Sequence, residues 1–169
     1  MKREGGAEAK TFDPAASAGL FVGVSRFEEA LIHPVTFAVD DAVDLAHLFS
    51  IELGLAIPEN IVLLLAGKPQ KSKSQERLAE LQTRGARLGR PRFSEVFREL
   101  EGLTQATTSK GLFVMSVATH GIAEQGNSYF VAEDTRLARP FRTSIAVSEV
   151  FEDASQVASK RALVLLDTC

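Results

Sequence analysis

Cys169 is the single cysteine of this 169-residue chain, and His120, one of three histidines, precedes it by 49 positions. A lone thiol with a distant imidazole is a candidate nucleophile and base. A small fraction of a thiol is thiolate at neutral pH, and an imidazole can take up or release a proton there. Each residue follows an uninterrupted apolar run. Gly111–Thr119 leads into His120-Gly121, and Ala162–Leu166 leads into Asp167-Thr168-Cys169. Such runs read as strands buried on both faces of a parallel sheet, and open parallel sheets carry their chemistry beyond the carboxyl ends of the strands. The other histidines end no strand: His33 reads as a loop residue before Pro34, and His47 as a solvated helix residue.

The elements that must position the pair follow from periodicity. Leu20–Val24 is a compact β-type run and is expected as the first, central strand. Ala38, Ala42, Leu45, Phe49 and Leu53 then recur at helical spacing, with Asp40, Asp41 and Asp44 in the opening turns, where carboxylates complement the helix dipole. Ile61–Leu65 is a second apolar strand. A helix is expected from about Phe93, with Val96, Phe97, Leu100 and Leu103 on one face. Ser128–Ala132 reads as one arm of a small hairpin outside the main sheet, after a loop over Gly121–Asn127. Val147, Val150 and Phe151 suggest a short helix. Strands alternating with helices, joined by crossovers too long for hairpins, imply an α/β fold: a three-layer sandwich with a mostly parallel sheet flanked by helices.

Composition bounds the rest. Length and a 45% hydrophobic content suit one domain with a substantial core, here 18–169, behind a charged, Gly/Ala-rich leader over 1–17. One cysteine allows no internal disulfide, and a free thiol suits a reducing, cytoplasmic setting. No apolar stretch approaches the roughly 20 residues of a membrane span. Within a net charge of −3, the segment over 67–92 holds eight Lys and Arg against two Glu. Its glycines, charge and sparse apolar pattern read as a mobile basic insert, with a weak helix at most over Gln75–Gln82. Nucleic acid is an unlikely ligand, because no aromatics interleave the cations.

Four ordered pieces, Leu20-Phe21-Val22-Gly23-Val24, Asp40-Asp41-Ala42-Val43-Asp44-Leu45, Thr119-His120-Gly121 and Leu165-Leu166-Asp167-Thr168-Cys169, carry a resemblance. At these residues the chain resembles the caspase-like cysteine peptidases, the clan of caspases, metacaspases and their bacterial relatives, over about Leu20 to Cys169. The resemblance implies a cysteine endopeptidase with Cys169 as nucleophile and His120 as general base or acid. The backbone N–H groups of Gly121 and Cys169 would form the oxyanion hole. The substrate would be a polypeptide, and neither an organic cofactor nor a metal is needed. Caspases that cut after aspartate carry an arginine shortly before the first helix, where this chain reads Ile32-His33-Pro34-Val35-Thr36-Phe37. Metacaspase-like relatives that cut after Arg or Lys place aspartates where Asp41 and Asp167 stand, with Asp40 beside the first. The resemblance therefore implies cleavage after basic residues.

Relatives continue past this cysteine into further strands and substrate loops. The expectation is therefore a fold lacking its C-terminal part, completed by a C-terminal fragment or a companion chain, and little activity from this fragment alone. Two other readings stay open on the residues: a non-catalytic interaction module on the same fold, and an unrelated flavodoxin-like binding domain in which His120 and Cys169 are incidental. Against the latter, Val24-Ser25-Arg26-Phe27-Glu28 is not a glycine-rich phosphate loop.

Overall fold

The computed structural model describes residues 11–168. Five parallel strands form the main sheet: β1 (Ala18–Val24), β2 (Ile61–Ala66), β3 (Arg87–Gly89), β4 (Phe113–Thr119) and β8 (Ala162–Thr168), in the order β3-β2-β1-β4-β8. β1 is central and wholly buried, as an apolar run with no polar alternation requires. Successive side chains leave a strand on opposite faces, so the sheet sorts one sequence into two cores. Leu20, Val22, Val62, Leu64, Met115 and Val117 face one side and meet α3 (Phe93–Ala106) and α5 (Val147–Ser155) through Val96, Leu100 and Val150. Phe21, Ile61, Leu63 and Val114 face the other and meet Val39, Ala42, Val43 and Ala46 of α1 (Ala38–His47) and Leu81 of α2 (Ser72–Thr83). The result is the helix-sheet-helix sandwich expected from the sequence.

Gly23 sets how close α1 lies to the sheet. A Cβ there would sit 2.6 Å from the carbonyl oxygen of Ala38 and 2.9 Å from the Cα of Val39. Only a residue without Cβ lets the first turn of α1 rest on β1. After His47 the helix widens into a π turn over Leu48–Glu52.

A small antiparallel sheet stands outside the main one. β5 (Gly121–Glu124) and β6 (Asn127–Phe130) form a hairpin through Gln125-Gly126, both at positive φ, and β7 (Ile145–Ala146) pairs with β6. The sequence marks only the second arm; half-exposed β5 lacks the buried run that announces a strand. Pro140–Thr143 forms a single turn, α4. No helix among the described residues is long and apolar enough to cross a membrane.

The basic segment over 67–92 is not a loop. It builds the twelve-residue α2 and the edge strand β3, which pairs with β2 through Arg87–Gly89. Two physical causes escape a local reading. Fully buried Leu81 and nearly buried Ala86 suffice to seat the segment on a core supplied by α1 and β2. The surplus of cations is met by carboxylates distant in sequence: Arg77 by Asp44 and Glu52, Arg87 by Glu99, Arg90 by Glu133, and Arg92 by Glu28. The leader expected over 1–17 also ends earlier than its composition suggests. Residues 1–10 lie outside the described residues, but Asp13 caps a turn over Pro14–Ala16, and the hydroxyl of buried Ser17 accepts the Leu112 N–H.

Candidate active site

The carboxyl ends of β4 and β8 are neighbours. The register pairs Thr119 with Thr168, the residues immediately before His120 and Cys169. Cys169 itself lies outside the described residues. Gly121 fits tightly against β8: a Cβ there would come within 3.1 Å of the Thr168 side chain. The end of β4 is pinned from its outer side, where the Thr119 hydroxyl donates to the Val131 carbonyl and the Val131 N–H donates to the His120 carbonyl.

The imidazole of His120 is oriented from two directions, both by the segment Ser25–Phe37 that joins β1 to α1. Its Nε2 lies 2.7 Å from the carbonyl oxygen of His33. A carbonyl only accepts, so Nε2 carries the proton and, in the neutral ring, Nδ1 keeps its lone pair. The ring of Phe27 stacks on the imidazole at a centroid distance of 5.5 Å and an interplanar angle of 23°. Neither partner is visible in the sequence: one is a main-chain oxygen, and the other is one of eleven phenylalanines.

The joining segment is itself clasped at Glu28, between those two contact points. The Glu28 carboxylate takes Arg92 at 2.5 Å and Arg136 at 3.1 Å, and its N–H donates to the Glu133 carbonyl. Buried Glu133 in turn holds the Arg90 guanidinium in a two-point pair, which raises the Arg90 pKa.

The three candidate substrate aspartates part company. Asp41 and Asp167 line one pocket with Asp44, Leu45, Leu48, Glu52 and Arg77, with a volume near 470 Å³ or below at about 410 Å³. Arg77 already occupies Asp44 (3.1 Å) and Glu52 (2.8 Å), whereas Asp41 and Asp167 have no cationic partner in ion-pair contact among the described residues. Partial burial pushes the Asp41 carboxyl above its ordinary value of 3.8; Lys71 opposes this, and Asp167, Asp40 and Asp44 add to it. Asp40 does not belong to the pocket. It is fully buried, and its carboxylate accepts the Gln70 N–H at 3.0 and 3.1 Å and the Lys71 N–H at 2.8 Å. One residue along a helix turns a side chain by 100°, which separates a structural aspartate from a pocket aspartate.

His47 also differs from its sequence reading. It is buried, with Nδ1 3.2 Å from Glu52 and Nε2 3.0 Å from Glu80. Both partners are carboxylates that only accept, so the doubly protonated ring satisfies both. The same contact holds the Glu80 carboxyl below its ordinary 4.5, with Arg84 contributing.

No protein-family model matches the chain, and no curated protein sequence matches it. Solved structures do. The crystal structure of the Drosophila initiator caspase Dronc superposes with a TM-score of 0.57 at 15% identity, covering 99% of this chain and 56% of that one. A structural-genomics protein from Geobacter sulfurreducens superposes with the same TM-score at 14% identity, covering 90% of this chain and 50% of its own. The fold is therefore caspase-like, and the chain spans about half the length of these structures.

Proposed function

We propose that this chain carries the catalytic core of a caspase-like cysteine peptidase. The observation that carries the reading is the β4-β8 register, which pairs the residues before His120 and Cys169, on an imidazole already oriented by Phe27 and the His33 carbonyl. In this mechanism the Cys169 thiolate attacks the scissile carbonyl carbon, forming a C–S bond. The oxyanion is met by the N–H groups of Gly121 and Cys169. His120, protonated on taking up the thiol proton, returns it to the leaving amine as the C–N bond breaks, and water then releases the acyl group. His33 acts only through its carbonyl, holding the ring so that Nδ1 is the nitrogen that exchanges the proton.

The substrate residue before the scissile bond is Arg or Lys. Asp41 and Asp167 line a pocket in which these two carboxylates lack an ion-pair partner among the described residues. A guanidinium would receive charge-assisted, two-point hydrogen bonds there. A companion polypeptide, a C-terminal portion or a second chain, extends the sheet beside β8. Supporting this, β8 is the last strand of the sheet, and its Leu163 and Leu166 stay 37% and 36% exposed. Turnover by these 169 residues alone should accordingly be low.

Fluorogenic peptides ending in Arg, Lys or Asp test the reading on the chain alone and on a version continuing past Cys169. Expected is hydrolysis after Arg and Lys by the longer version, lost in Cys169→Ala. Absence of any cysteine-dependent hydrolysis would leave an interaction module on a caspase-like fold as the better reading. Hydrolysis after Asp would refute the pocket assignment.

A further inference from the structure

A second cleft opens at the carboxyl ends of β1 and β2, on the other side of the segment that holds His120. Its volume is about 860 Å³, and its walls are the β1-α1 connection (Ser25, Arg26, Pro34, Val35, Thr36), the β2-α2 connection (Gly67 to Gln70), and the Arg90–Glu133 pair. Three cations and one carboxylate line it, and that carboxylate is already neutralised by Arg90. Arg26 and Lys68 are exposed and have no carboxylate partner among the described residues, although nearly every other arginine over 67–92 has found one. The Ser25 hydroxyl accepts the Val39 N–H, leaving its proton for an acceptor in the cleft. The cleft is thus a place built to receive negative charge.

Its position relates it to the site. Pro34, Val35 and Thr36 of its wall follow directly on His33, whose carbonyl orients His120, and Asp41 of the acidic pocket lies five residues beyond Thr36. A peptide lying along Pro34 to Asp41 meets a cationic cleft at one end and a pair of carboxylates at the other.

We infer that the cleft between the β1-α1 and β2-α2 connections recognises acidic side chains of a peptide through Arg26 and Lys68. Taken with the peptidase reading on which it rests, the substrate is bipolar: one basic residue for Asp41 and Asp167, and Glu or Asp residues displaced along the chain for the cleft. Exposed pairs of this kind contribute little singly, so two of them give a preference of about five- to ten-fold at low ionic strength. That preference fades as salt shortens the screening length.

The test is fluorescence anisotropy on the Cys169→Ala chain, which separates binding from cleavage. The probes are labelled peptides with one central Arg and three flanking Glu on either side in turn, and matched peptides with Gln in place of Glu. Expected is a five- to ten-fold tighter binding of a Glu peptide. The difference should vanish in the Arg26→Glu/Lys68→Glu variant, whose melting temperature stays unchanged because both side chains are exposed and unpaired. Equal binding of Glu and Gln peptides, or a Glu preference that survives the double variant, overturns the inference. So does displacement by millimolar inorganic phosphate with no difference between Glu and Gln, which would make the cleft a phosphate site. A Glu preference that meets the expectation while no peptide is ever cleaved upholds the cleft and removes the peptidase reading instead.

Discussion

Asp40 and Asp41 are adjacent, chemically identical and on the same helix, yet replacing each should have opposite consequences. The Asp40 carboxylate is buried and takes the N–H groups of Gln70 and Lys71 at 2.8 to 3.1 Å, which ties the start of α2 to the first turn of α1. A hydrogen bond to a charged group contributes about 1.5–3 kcal/mol, and removing the acceptor leaves two donors to find water. Asp40→Ala should therefore cost about 3 kcal/mol in all, on the scale of one to two such bonds. In a chain of this length that lowers the melting temperature by about 6–12 °C. Asp40→Asn should be little better, because its amide presents N–H toward N–H. Asp41 has no such partners, and its raised pKa means that the folded chain holds its proton more firmly than the unfolded chain does. Asp41→Asn should leave stability within about 0.5 kcal/mol, while weakening capture of arginine-bearing peptides. Urea or thermal unfolding of both variants, followed by peptide binding, checks the pair. Equal destabilisation by the two, or retained arginine binding in Asp41→Asn, would refute the division of roles.

Four further outcomes follow from the same geometry. Gly23→Ala forces a methyl within 2.6 Å of the Ala38 carbonyl oxygen and should destabilise by about 1–3 kcal/mol, read as a lower urea midpoint. Because the Asp41 pKa is raised, affinity for an arginine peptide should rise with pH through a midpoint above 3.8, and Asp41→Asn should flatten that limb in a binding titration. For Glu80 the sign is opposite: its lowered pKa contributes stability above 4.5 that is lost as pH falls through the lowered value, and His47→Ala should remove most of this acid dependence in melts taken at stepped pH. Native trypsin should leave Arg77 and Arg87 uncut while α2 and β3 are folded, as mass spectrometry of the digest would record.

What the sequence makes legible is whatever depends on contiguous pattern. The apolar runs ending at Val24, Leu65, Thr119 and Leu166 read as buried parallel strands because both faces of each are covered by helices, and four of the five main strands carry such a run. α1 and α3 follow from apolar residues at helical spacing. What stays hidden depends on partners remote in the chain. The basic stretch looks unpacked because the carboxylates that balance it lie at Asp44, Glu52, Glu99, Glu133 and Glu28, up to 64 residues away in the case of Arg92 and Glu28. His47 looks solvated for the same reason: Glu80, one of its two partners, is 33 residues distant. The alignment of His120 rests on a main-chain carbonyl, which no side-chain pattern can announce. Asp40 and Asp41 cannot be told apart until the helix is placed on the sheet.

The central claim is that His120 and Cys169 act as a pair, and the chain offers an unusually clean test because Cys169 is its only thiol. The measurement is the rate of Cys169 alkylation by iodoacetamide as a function of pH, in the wild type and in His120→Ala. Pairing predicts reactive thiolate persisting well below the ordinary thiol value of about 8.5, and its loss in the variant, where reactivity should return to a single titration near that value. A wild-type profile that already titrates near 8.5 and does not change in His120→Ala would contradict the account.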